Sequence, residues 1–186
     1  MCVIRNTLTI NAAILFIHGV IKHSAHQPKK NSSEPTSSSP TSSKPTPKVT
    51  YMKGEKDILS MFYPEELWFN GYHYWTPEHA YQHQKCLLFD YYDRASSILQ
   101  NPLPRAAKAA GKITGDLMSR DMKVKLMKDV LFHRWCQQPT FEEALKRTEG
   151  CTMVHNVNDG FWGQYSSGDG INAYGICLEQ TLNCNK

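Results

Sequence analysis

The chain has 186 residues and a formal net charge of +4, with 40% hydrophobic and 11% aromatic residues, enough for one packed domain and a tail. The charge is unevenly placed: residues 1–56 carry eight Lys/Arg against two Asp/Glu, and residues 57–186 carry thirteen against fifteen. The folded part therefore lacks the net basic footprint of a phosphate-backbone binder, and only a local basic pocket is compatible with it.

Residues 1–25 read as an apolar leader or extension. The run LTINAAILFIHGVI at 8–21 follows Arg5 and is too short for a stable membrane span. A basic residue before an apolar run is the pattern of a secretory signal, but Asn11 and His18 interrupt it and no A-x-A cleavage site follows. Residues 26–50 read as a disordered linker. Asn31 to Thr50 holds eleven Ser/Thr and four Pro in twenty residues, too little apolar surface to offset the entropy of ordering. If the leader were a signal, this tract would be a glycosylated stalk with a sequon at Asn31, and the protein a secreted interaction module. The five cysteines beyond the leader, at 86, 136, 151, 177 and 184, are odd in number and contain no C-x-x-C pair. They fit neither a disulfide framework nor a zinc site, so the expectation is a cytoplasmic or nuclear protein with reduced thiols.

Residues 51–186 read as one mainly helical α+β domain. Asn70-Gly71 between aromatic runs predicts a hairpin. Thr76-Pro77 predicts a helix start with Glu78 in the first turn. Short helices are expected over 90–100 and from Pro104, the latter alanine-rich. Ser119 caps a longer helix in which Met122, Leu126, Met127, Val130, Leu131 and Trp135 recur at helical spacing as a core stripe. Pro139 begins another helix through Arg147, CTMVHNV at 151–157 reads as a strand, and the last helix spans about 172–183.

Two stretches carry candidate chemistry. In YWTPEHAYQHQK, residues 74–85, Glu78, Tyr81, Gln82 and Lys85 share one helical face. Glu78 and Lys85 stand about 10 Å apart along the axis, too far for a decorative i,i+4 ion pair. Such a face either flanks a bound molecule or consists of a dipole-complementing acid and a solvated lysine. His79 and His83 have the spacing of a helical metal pair but no obvious third ligand, so packing or hydrogen bonding is the expectation and no metal is assigned. The second stretch, NDGFWGQYSSGDGIN, combines Asp159 and four glycines with Phe161 and Trp162. It is either a loop that approaches and stacks on a ligand or a tight turn whose tryptophan plugs the core.

Taken in order, these pieces resemble the YbiA-like, or NADAR (NAD- and ADP-ribose-associated), domain family. The resemblance is carried by Phe62-Tyr63, Asn70-Gly71, Tyr74, Thr76, Glu78-His79-Ala80-Tyr81-Gln82, Lys85, Ala107-Lys108, Gly111, Val154, Asp159, Trp162-Gly163, Gly170, Asn172 and Gly175. It implies an N-glycosidase that hydrolyses a ribosyl C1–N bond without a cofactor. The substrate would be an ADP-ribosylated guanine, including one in nucleic acid, or a ribosylamino intermediate of riboflavin synthesis. Carried over residue by residue, it implies Glu78 as the catalytic carboxylate, and Lys85 as a phosphate or ribose contact or a nucleophile at C1. Asp159 would hold ribose hydroxyls or assist, and His79, Tyr81, Lys108, Trp162, Gly163 and Asn172 would bind substrate. Phosphate would meet Lys108 or the amides of the glycine-rich loop. Three positions depart from the family pattern: Met61 where Asn is common, Met122 where Trp is common, and His155 where Glu is frequent. The alternative reading is a weakly catalytic module that binds ADP-ribose-like ligands.

Overall fold

The computed structural model describes residues 48–52, 54–112 and 117–185, all of them within one unit, Thr46–Lys186. The leader and nearly all of the Ser/Thr/Pro tract lie outside the described residues. The order of elements is β1 (Lys48–Met52), β2 (Leu67–Phe69), β3 (Tyr72–Tyr74), α1 (Pro77–Leu87), α2 (Tyr92–Gln100), α3 (Pro104–Ala110), α4 (Arg120–Gln137), α5 (Pro139–Lys146), β4 (Cys151–His155) and α6 (Ala173–Cys184). This is the mainly helical α+β domain expected.

Strand β1 is the element the sequence did not announce. It pairs in parallel with β4, from Lys48 opposite Cys151 to Met52 opposite His155. Lys48–Thr50, inside the stretch read as a linker ending at 50, thus belong to a strand, and the folded part includes residues before 51. The expected hairpin forms: β2 and β3 pair antiparallel, and Asn70 and Gly71 both take positive φ, 50° and 82°, as a two-residue turn matched to strand twist demands. Ser119 caps α4 through its Oγ, which accepts from the Met122 amide at 3.2 Å.

The core is built around α1, which packs on α2 and α3 and also touches α4; α4 in turn meets α5 and α6, and α6 covers β4. Leu67, Tyr74, Val130, Leu131, Phe141, Leu145, Met153 and Leu178 form its centre. One member of the expected α4 stripe, Met122, is 40% exposed, whereas Arg134, outside the expected stripe, is completely buried. Arg134 is held by four contacts. Its Nε donates to Gln138 Oε1 at 2.7 Å, its Nη1 and Nη2 donate to the Ser60 and Ile58 carbonyls at 3.1 and 2.8 Å, and its guanidinium lies 4.0 Å above the Phe141 ring. A buried cation is tolerable only with such partners. Here it ties down the loop whose next carbonyl, Met61, accepts the Glu78 amide at 2.9 Å. Among the described residues no helix is long and apolar enough to cross a membrane.

Candidate active site

Helix α1 opens as predicted at Thr76 with Pro77 in its first turn, yet the Thr76 hydroxyl makes no cap hydrogen bond. It turns instead to His79 Nδ1, 2.8 Å away. His79 Nε2 donates to the Asn101 carbonyl at 2.8 Å, which leaves Nδ1 to accept the Thr76 proton. The ring is fully buried, and burial lowers its pKa. His79 is thus a neutral strut between α1 and the end of α2, with both nitrogens engaged by the fold rather than turned to a substrate.

His83 is engaged by packing and hydrogen bonding, as expected. It is 2% exposed; its Nδ1 accepts from Tyr74 Oη at 2.8 Å, and Tyr74 Oη accepts from Gln84 Nε2 at 2.9 Å. Asn70 Nδ2 then donates to Gln84 Oε1 at 3.0 Å. Burial pushes the His83 pKa down to about 4. The histidine pair that suggested a metal is therefore engaged in two hydrogen-bond systems that anchor the hairpin and α2 to α1.

The opposite situation holds around Glu78. Its side chain is 6% exposed, and burial raises its pKa, against which a hydrogen bond from Gln82 and the charges of Lys108 and Lys85 pull it down. Gln82 Nε2 donates to Glu78 Oε1 at 2.8 Å. Lys85 lies 5.9 Å from the Tyr81 ring centre, and Lys108, from α3, lies 5.6 Å from that of Phe62. Tyr81 meets Trp162 edge-on at 5.7 Å, and Trp162 meets Phe161 at 4.7 Å. Glu78, Tyr81, Lys85, Lys108 and Trp162 are thus brought together from three separate segments. The result is a buried carboxyl group that feels the charges of two lysines, with an aromatic cluster on the same helix face.

The glycine-rich loop is braced from within. Asp159 Oδ1 accepts the Phe161 and Trp162 amides at 2.9 and 2.8 Å, the Gly163 amide donates to the Asp159 carbonyl, and the Gln164 amide to that of His155. These amides are not available to a phosphate. Gly163 is needed for space, since a Cβ there would come 2.4 Å from Val157 Cγ2 and 2.7 Å from the His155 carbonyl. Asn172, at φ 55°, accepts the His155 amide on Oδ1 at 2.9 Å and donates from Nδ2 to the Met153 carbonyl at 2.7 Å. Asp159, Gly163 and Asn172 therefore place Trp162 and the end of β4, with their hydrogen bonds directed into the loop and strand. Trp162 packs against the core, as the tight-turn reading expected, and it stays half-buried with its ring edge-on to Tyr81.

His155, one of the departures, is half-buried at the end of β4. Burial lowers its pKa, as does the Lys108 charge, while a hydrogen bond to the Trp162 carbonyl and the charges of Asp159 and Asp57 oppose this. Lys108 therefore acts on both Glu78 and His155 and links α1 to β4. Met61, another departure, is buried in the core. Two open hollows, of about 260 and 490 Å³, are lined by residues around Tyr165 and around Arg94 respectively, and neither includes Glu78.

A family model for the NADAR domain matches residues 41–183, the greater part of the chain and all of the elements above except the last residue of α6. The chain belongs to the NADAR domain family. The match begins ahead of β1, which makes that strand part of the NADAR domain rather than of the tail. The fold is similar to the NMR structure of the E. coli protein YbiA, with a TM-score of 0.63 and 22% identity over 75% of this chain and 85% of that one; at this identity the likeness is one of fold. No curated protein matches the chain.

Proposed function

We propose that this NADAR domain is an N-glycosidase that hydrolyses a ribosyl C1–N bond, with Glu78 as the acid–base carboxylate. The observation that carries the reading is the setting of Glu78: a buried carboxyl whose pKa is raised by burial and restrained by Gln82, Lys108 and Lys85. Burial thus favours the protonated form of the carboxyl, which is the form a general acid needs. In the proposed reaction the C1–N bond breaks with its electron pair leaving on nitrogen, which takes the Glu78 proton. Water then adds through oxygen to the oxocarbenium-like C1 and returns a proton to Glu78. The carboxylate stabilises the positive charge that develops at C1. Lys85 and Lys108 hold the anionic part of the substrate, and Trp162 with Tyr81 walls the base.

The substrate class is an ADP-ribosylated guanine, free or in nucleic acid, or a ribosylamino intermediate of riboflavin synthesis. Incubating the protein with each and separating the products by chromatography tests the reading. Release of base or of deribosylated amine supports it. Tight binding of both compounds without turnover refutes it in favour of an ADP-ribose-binding module.

A further inference from the structure

Gln82 and Gly111 belong to the motif that marks the family; the catalytic scheme above uses Gln82 only as one of three restraints on Glu78 and leaves Gly111 without a task. They lie 29 positions apart, on α1 and just past α3. Gln82 stands one helical turn beyond Glu78, and its Nε2 reaches Glu78 Oε1 at 2.8 Å. Its other end is unusual: Oε1 is buried without a hydrogen-bond partner, an arrangement proteins rarely keep without a reason. A Cβ on Gly111 would come 2.2 Å from this Oε1, 2.8 Å from Gln82 Cβ and 2.9 Å from Cδ. No residue larger than glycine fits at 111 while Gln82 occupies its place.

We infer that Gln82, seated against Gly111, is a positioning residue that clamps the Glu78 carboxyl, and that Gly111 is glycine in order to admit it. The inference rests on the proposed role of Glu78. The amide suits the task because its two ends differ. As placed, its N–H donates to an ionised Glu78; turned over by 180°, it presents a carbonyl to the proton of a neutral Glu78. The acceptor without a partner is thus the half of the clamp that serves the other protonation state. The remaining groups that bear on Glu78 are Lys85 of its own helix, Lys108 of α3 and the Tyr174 hydroxyl of α6; His155 and Asp57 in turn bear on Lys108 and on Tyr174.

The test is a carboxyl ¹³C NMR titration of Glu78 in the full chain, assigned by its disappearance in E78Q, for wild type, Q82M, G111A and the double variant Q82A/G111A. Q82M keeps the volume and removes the donor, so the Glu78 midpoint is expected to rise, with kcat falling about tenfold and KM within twofold. G111A is expected to raise the midpoint too, and to destabilise the fold by driving Gln82 out of place. Q82A/G111A is expected to regain stability while keeping the raised midpoint. An unmoved midpoint in Q82M overturns the inference, as does a double variant no more stable than G111A. The titration needs no turnover, so a wild type that hydrolyses nothing removes the proposed function and leaves this result to be judged by itself.

Discussion

The two sides of helix α1 carry buried polar residues in nearly equal number but in opposite states. On one side His79, His83 and Gln84 are joined to Thr76, Asn101, Tyr74 and Asn70 by hydrogen bonds of 2.8–3.0 Å. On the other, Glu78 is a buried acid that feels the charges of two lysines, and Gln82 keeps an acceptor unpaired. A satisfied network adds stability and fixes geometry. A buried ionisable group and an orphan acceptor cost stability, and the proposed function gives them a use. Burial alone does not separate the two sides; hydrogen-bond satisfaction does.

The sharpest way to break the comparison is on the Glu78 side. E78Q keeps an acceptor for Gln82 and removes the ionisable group, and is expected to lower turnover by about 10³-fold while raising stability by about 1 kcal/mol. Steady-state kinetics and thermal melts on the same preparations check both halves. On the other side, H79A strands the Asn101 carbonyl and the Thr76 hydroxyl, so a loss of about 3 kcal/mol is expected in urea unfolding.

The two sides also respond to pH with opposite sign. His83 has a folded pKa depressed from 6.5 to about 4. Its contribution is complete above pH 6.5 and is lost, up to about 3 kcal/mol, as the pH falls towards 4. Glu78 has a folded pKa raised above 4.5, so its contribution is complete below pH 4.5 and is lost as the pH rises through the folded value. Between pH 4 and 7 E78Q should therefore gain stability with pH more steeply than wild type, and H83Q less steeply. Denaturant melts across that range read the slopes, and parallel curves for the two variants would refute the assignment. The smallest effect is expected from R105A, which removes an exposed ion pair with Glu55; less than about 0.5 kcal/mol should be lost.

The parts of this architecture that local chemistry dictates are legible in the sequence: the Asn70-Gly71 turn, the Ser119 cap, the proline starts of α1, α3 and α5, and Glu78 with Lys85 on one face. What escapes reading depends on partners far along the chain. Strand β1 is defined by pairing with residues about a hundred positions later, and its three strand-favouring residues Val49, Thr50 and Tyr51 are too short a run to outweigh the composition of the Ser/Thr/Pro tract they end. Arg134 fits the helical period of Met127, Val130 and Leu131, but a charge on a core stripe is discounted until the Ser60 and Ile58 carbonyls are seen to receive it. The seat of Gln82 on Gly111 is equally non-local. Asp159, Gly163 and Asn172 were found by motif, but their hydrogen bonds to the loop and to β4 are visible only in three dimensions.

The central claim is that chemistry belongs to the Glu78 side of α1 and stability to the histidine side. It is tested most directly by measuring kcat for E78Q and H83Q side by side, per folded molecule, on whichever ribosylated substrate the wild type hydrolyses. The account predicts that E78Q is essentially inactive with substrate binding retained, and that H83Q stays within a few-fold of wild type. Comparable turnover by E78Q and wild type, or a loss in H83Q as deep as that in E78Q, would contradict it.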